Sequence, residues 1–465
     1  MNDSTPAQAR ALAKARESLR ERQVFDVGDS GHLATRPTPC EAALQDIQWR
    51  RKFEPTGTPG VVRRGWWKYE REVEEKRIDM TEDLIRRVDP GPFEVPDYFA
   101  LLAYQAASIE LCWAGSPAAV DAEQRWPRFL LGTVHAPKAY ASADVSQYLG
   151  FTLILVNLGL VEFMYQAAKA VIAASNPVRS YDGKSDIKTS PTRDAIEVEL
   201  NRNSEPVERL YRTLEAYYFR GYPRAFANEQ VRPESSMPLS LLTAFSERFI
   251  MGHEYGHGFA ATLESSFIDA DNPKHSEEFF ADQFGMYYTV LSAQMLDGVY
   301  DPAVSLSAMT FALACLSILE RTSALLCHGL IADDKGSKDF LPRTLARVRQ
   351  GVIAGDIGSE KYPPFRIRAQ RLVDGYHELF ATEFRSDGRG CVATRRSPPA
   401  QPANVPDVDP KVRQQVGTGA FIYANALFII WERVCERLLR DCQQGRRLHP
   451  IWDRMCERQP DCQQG

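Results

Sequence analysis

The sequence has no surplus of either charge. Its 56 Lys and Arg stand against 61 Asp and Glu, a net charge of −5. That balance gives no electrostatic case for nucleic acid or an anionic membrane as a main partner. A secretory h-region is also missing, because Met1-Asn2-Asp3-Ser4 leads into Ala, Arg and Glu. No CxxC zinc module is present. Of the 9 cysteines, the pairs 435/442 and 456/462 are spaced too widely for one, and reduced thiols in a cytoplasmic protein are expected. An uninterrupted apolar run of about 20 residues, as a membrane span needs, is lacking too. The stretch 149–161 contains Thr152 and Asn157. The stretch 304–319 contains Ser305, Ser307, Thr310 and Ser317 and runs into Glu320-Arg321. Both read as buried core elements, and no integral membrane segment is expected.

What remains is an ordinary globular composition, 44% hydrophobic and 25% charged over 465 residues. That is enough for a sizeable core in one to three domains. Residues 1–24 suit a solvated helix or arm, and the breaker cluster 55–60 suits a linker. A buried helix is expected over 96–113, a β-rich strand over 151–156 and a helix over 160–172. The polar stretch 176–194 reads as a loop, 205–219 as a helix and 220–238 as a connection. Pro238 then opens a helix whose face carries Leu239, Leu242, Phe245, Phe249 and Ile250 at 3- and 4-residue steps. Helices follow near 275–295, 303–331 and 366–384. The Pro- and Gly-rich stretch 386–410 is a linker by composition, and a last helix is expected over 411–440.

The chemistry concentrates at the end of the helix opened by Pro238, in His253-Glu254-Tyr255-Gly256-His257. Positions i and i+4 of a helix lie one above the other, so the two imidazoles can grip one metal ion. Glu254 follows the first ligand and can reach a water on that metal. Zinc suits this donor set, and a catalytic zinc takes three protein ligands with one open position. The third ligand is sought in His275-Ser276-Glu277-Glu278-Phe279-Phe280-Ala281-Asp282. Glu278 is assigned. Asp282, one turn on, is placed to accept a hydrogen bond from a ligating histidine and fix its tautomer. Glu277 and His275 are the competing assignments. Ala281 and Gly285 are small enough to let the two helices approach closely.

Glu278-x-x-Ala281-Asp282 following His253-Glu-x-Gly-His257 resembles the gluzincin metallopeptidases, in particular the HtpX-like and CAAX-prenyl-protease-like group. Phe151 to Glu162 is similar to the edge strand and Gly-Leu turn that precede the metal helix there. Tyr362-Pro363-Pro364 with Arg368 and Arg371-Leu372 is similar to the group's His-Pro-Pro…Arg…Arg-Leu segment, with Tyr362 in place of the histidine. The short gap from His257 to Glu278 is closer to thermolysin-like or ImmA/IrrE-like proteases, and the soluble Lit-like peptidases are a further possible relation. The resemblance implies an α+β, mainly helical fold with a zincin-like core. The chain then divides into a helical N-terminal extension (1–125), a catalytic domain (126–385), a Pro-rich linker (386–410) and a C-terminal helix and tail (411–465).

The expected activity is zinc-dependent hydrolysis of a protein or peptide substrate, with Glu254 as general base. Tyr362 and Arg368 are candidate oxyanion donors through the family-like segment. Their plainer readings are a turn residue before two prolines and an ion pair with a carboxylate such as Asp282. The strand at 151–156 is either a platform for an added substrate strand or a buried sheet strand. His135, His328 and His377 have no ligand-like spacing, and Trp66-Trp67 reads as packing. Two alternatives carry the same motifs: a catalytically silent zinc-binding regulatory or interaction protein, and a toxin or phage-defence protease directed at one host protein.

Overall fold

The computed structural model describes residues 6–27, 42–44, 66–89, 96–114, 128–134, 141–144, 151–175, 192–220, 236–260, 273–297, 299, 302–324, 363–380 and 420–443. Helices α1 (Pro6–Val27), α2 (Trp66–Val88) and α3 (Pro96–Ala114) precede strands β1 (Arg128–Val134), β2 (Ala141–Asp144) and β3 (Phe151–Asn157). Then come α4 (Leu158–Ser175), α5 (Arg193–Arg202) and α6 (Glu205–Glu215), the last continued by a π turn at Ala216–Arg220. The remaining helices are α7 (Ser236–Ala260), α8 (Pro273–Met295), α9 (Pro302–Ala324), α10 (Phe365–Phe380) and α11 (Ile422–Gln443). Among the described residues the chain is therefore mainly helical with one small sheet.

Local chemistry explains several boundaries. Thr192 caps α5 by accepting a hydrogen bond from the Ala195 N–H at 3.3 Å. In α6, Leu210 and Leu214 are buried while Glu205–Arg209 and Glu208–Arg212 pair at i,i+4 on the wetter side. The turn from β3 into α4 is made by Asn157, whose Oδ1 accepts from the Gly159 N–H at 2.7 Å.

The sheet order is β1-β3-β2. β1 runs parallel to β3 from Arg128↔Phe151 to Val134↔Asn157. β2 runs antiparallel to it, from Ala141↔Val156 to Asp144↔Leu153. β3 is thus the central strand, buried along its whole length. Such a strand reads as a continuous apolar run because both of its faces are covered. The reading of residues 151–156 as a platform for strand addition is corrected here, since both ladders of β3 are already occupied. β2, which among the described residues has β3 as its one strand neighbour, lies beside α7, where Gly258 also meets Phe129 of β1 and Thr152 of β3.

Among the described residues, two hydrophobic clusters form the interior. The first is built from α4, α5, α6, α9, α10 and α11 together with Leu239 to Ile250 of α7. The second joins α1, α2 and α3 to β1 and β3 and takes in Met251 and Tyr255 of α7 and Phe284 and Tyr288 of α8. Residues of the 1–125 and 126–385 segments therefore share one core, and α11 belongs to the other. The pair α7 and α8 lines both clusters, so the HExxH segment sits at their seam. A window of α9, Ala303–Thr322, is long and apolar enough to cross a membrane, and 78% of it is buried inside the protein.

One ionic network ties the first helices to this pair. Asp297, just past α8, accepts from Arg77 of α2 at 2.9 Å and from Arg248 of α7 at 2.6 Å. Arg248 also donates to Gln105 of α3 and Ser292 of α8, both at 2.9 Å. Arg77 donates through Nε to Glu74 at 2.9 Å, and Glu74 in turn accepts from Tyr104 at 2.8 Å.

Candidate metal centre

Two helices can present three ligands to one point only if their backbones come close. Glycine and alanine permit this here. A Cβ built on Gly252 would lie 2.8 Å from the Gly285 Cα, and one on Gly256 would lie 2.7 Å from the Ala281 Cα. Gly285 faces the Phe249 carbonyl oxygen and the His253 nitrogen in the same way, both at 2.9 Å. Gly252 and Gly256 are one turn apart on α7, as are Ala281 and Gly285 on α8, so two small-residue stripes face each other.

Across this seam stand His253, His257 and Glu278, whose candidate ligand atoms all lie within 4.8 Å of one another. The two Nε2 atoms are 3.0 Å apart. Glu278 places Oε2 3.5 Å from the His253 Nε2 and Oε1 3.6 Å from the His257 Nε2. Ligands about 2.0–2.1 Å from a tetrahedral ion stand about 3.3–3.4 Å from each other, so the spacing fits one small cation.

The outer nitrogens strengthen this fit. His253 Nδ1 lies 2.9 Å from Asp282 Oδ1, and His257 Nδ1 lies 3.0 Å from Glu277 Oε1. A carboxylate only accepts, so each Nδ1 carries its ring's proton and each Nε2 turns a lone pair inward. With both rings neutral, two lone pairs and a carboxylate then converge with no donor among them. The buried Glu278 Oε2 makes no hydrogen bond. Such a set of acceptors is stable around a cation, and a proton is the smallest one available. Burial disfavours charging His253, but the contacts with Asp282 and Glu278 outweigh burial and push its pKa up to about 10.

The carboxylates are held ionised. Burial opposes the charge on Asp282, but Arg368 and His253 outweigh it and keep the group well below the usual range. Glu278 is lowered in the same way, with burial opposed by His253, Arg368 and His257. Glu277 is lowered chiefly by its bond to His257.

Arg368 of α10 donates to both oxygens of Asp282, at 2.8 and 2.7 Å, and stands 3.5 Å from Glu278 Oε2. Of its two sequence readings, the ion pair with Asp282 is the one this geometry realises. Glu254 is buried on α7 directly after His253. Glu277, weighed from sequence as a ligand, faces the outer nitrogen of His257 instead. Only helix phase hinted at that place, since neighbouring residues on a helix point about 100° apart.

Other sequence candidates are not members of this group or fall outside the described residues. His275 lies on α8 with its ring 6.4 Å from that of Phe279. His377 is buried on α10 beside Tyr376. Tyr362, His135, His328, the linker 386–410 and Cys456 and Cys462 fall outside the described residues, as do the side chains of Trp66, Trp67 and Cys442. Cys435 is a buried free thiol in α11.

No protein-family model, no curated protein and no solved structure matches this chain. What sequence and structure define together is a mainly helical α+β protein with a buried two-histidine, one-carboxylate group that could hold a metal ion.

Proposed function

We propose that the chain is a zinc-dependent peptidase acting on a protein or peptide, with His253, His257 and Glu278 as zinc ligands. The observation that carries this reading is the convergence of two Nε2 lone pairs and one carboxylate on a single point, with Glu254 following the first ligand on the same helix. Zinc suits two imidazoles and a carboxylate, and when bound it acidifies a water toward a pKa of about 7 and polarises a carbonyl.

The protein's own groups supply the rest. Asp282 and Glu277 hold the two rings in the tautomer that directs Nε2 inward. Arg368 fixes Asp282 from behind, so in this reading it positions and does not react. Glu254 takes the proton of the attacking water and later returns it to the leaving amine. Tyr362 is proposed as the donor to the developing oxyanion. Losing such a donor costs about 2.7–4 kcal/mol in the barrier, which Tyr362→Phe measures.

A second reading, a catalytically silent zinc centre on the same fold, is favoured by the burial of His253, Glu254 and Glu278. A closed structural zinc takes a fourth protein ligand, whereas the described group offers three. Metal content per chain, with and without chelator, and cleavage of a mixed peptide substrate separate the two. The expected result is about one zinc per chain and hydrolysis that falls by about 10²–10⁴-fold in Glu254→Gln with zinc retained. Unchanged cleavage in that variant would refute the general-base role, and zinc without any cleavage would favour the silent centre.

A further inference from the structure

Resting on the reading of this centre as a metal site, we propose that Glu277 is the positioning residue of His257 and makes that imidazole the exchangeable side of the centre. The two histidines are oriented by unequal means. The His253 side chain is 9% exposed and its partner Asp282 2% exposed. Asp282 is itself clamped by two hydrogen bonds from Arg368. That arm is fixed whether or not a metal is present. The His257 side chain is 16% exposed and its partner Glu277 47% exposed. Glu277 reaches the ring through one bond of 3.0 Å from a neighbouring helix.

Physical consequences follow from the difference. Water competes for a half-exposed carboxylate and does not reach one that is fully buried and paired. When Glu277 lets go, the His257 ring is free to turn about its last torsion and carry Nε2 out of the cluster. The ring of His253 cannot turn without giving up its bond to Asp282, a buried carboxylate that Arg368 holds in place. A metal therefore leaves by losing His257 first and enters by capturing it last. The arrangement is compact: Glu277 and Glu278 are consecutive on α8, so one turn supplies a carboxylate to the outer nitrogen of a ligand and another to the cluster itself.

The test uses the full-length protein loaded with Zn²⁺, diluted into an excess of chelating dye that reports release. Glu277→Ala should release zinc faster and bind it more weakly, by about 10–100-fold, the usual cost of losing such an outer partner. The melting temperature of the metal-free protein should not move. Glu277→Gln keeps an acceptor for the Nδ1 proton and should recover most of the loss. With Co²⁺ in place of zinc, the visible absorption of Glu277→Ala should keep its four-coordinate intensity. Wild-type affinity and release rate in Glu277→Ala would overturn the proposal, as would a fall in metal-free melting temperature that accounts for the weaker binding. A wild-type protein that binds no Zn²⁺ at all would instead remove the metal reading itself, and this proposal with it.

Discussion

Two clusters of buried charge lie along the same pair of helices, and they differ in how they are finished. Around Asp297, two arginines and two carboxylates neutralise one another, and Gln105, Ser292 and Tyr104 complete the hydrogen bonding. Around His253, two imidazole nitrogens face each other at 3.0 Å and a buried carboxylate oxygen has no hydrogen bond. A closed network holds a fold together, because each buried charge has its partner. A cluster in which two ligand-type nitrogens and a carboxylate converge on one spot is a group that could hold a metal ion. The contrast separates a closed ionic network from a group still able to take up a cation.

The largest effect that would sharpen this contrast is on the closed side. Asp297→Ala leaves Arg77 and Arg248 buried without their shared partner, and breaking such a pair costs about 3–5 kcal/mol. Denaturant unfolding should show that loss, while zinc stoichiometry in the folded protein stays at the wild-type value. Loss of zinc with little change in stability would reverse the roles given to the two clusters.

The next effect belongs to the open side. Zinc at about 100 times its Kd should stabilise the wild-type chain by about 2.7 kcal/mol, read as a shift in the unfolding midpoint. Glu278→Ala should remove most of that shift. An equal shift in both proteins would place the ion elsewhere.

The seam itself gives a smaller effect. In Gly256→Ala the added methyl meets the Ala281 backbone at 2.7 Å, so α7 and α8 must part. Overpacking of this kind costs about 1–3 kcal/mol, and zinc affinity should fall with it because the ligands come from both helices. A Gly256→Ala protein with native stability and affinity would show that the close approach is dispensable.

The smallest effect is in the pH response of the closed network. Burial opposes ionisation of Asp297, but Arg248 and Arg77 outweigh it and lower its pKa. A carboxylate depressed in the folded state contributes stability that is present above its unfolded pKa, about 4 for Asp. That stability is lost as pH falls through the lower, folded value. Asp297→Asn should therefore be less stable than wild type at pH 7, and its stability should fall less steeply on acidification below about pH 4. Parallel acid profiles for the two proteins would remove Asp297 from the account.

Much of the helical framework was legible in the sequence. The apolar steps from Leu239 to Ile250 lie on α7, and the helices near 96–113, 160–172 and 275–295 appear within a few residues of their expected ends. β1, β2, α2 and α5 were not foreseen. β2 is only 4 residues long, and β1, though flanked by Pro127 and Pro137, lacks strict alternation and contains Gly132. β3 was visible as a β-rich run, but a continuous apolar strand looks the same whether it ends a sheet or lies inside one. Its two neighbours are set by contacts made far along the chain.

By itself the sequence determined that His253 and His257 share a helix face, because a spacing of four is a property of the helix alone. It also determined that acidic residues on a following helix were available to meet them. Tertiary structure decided the rest. Glu278 closes the cluster while Glu277 turns to the outer nitrogen of His257, and Arg368 is spent on Asp282. The reason is geometric: periodicity fixes angles around each helix axis, whereas the rotation and slide of one helix against another are fixed only where Gly252 and Gly256 lock against Gly285 and Ala281.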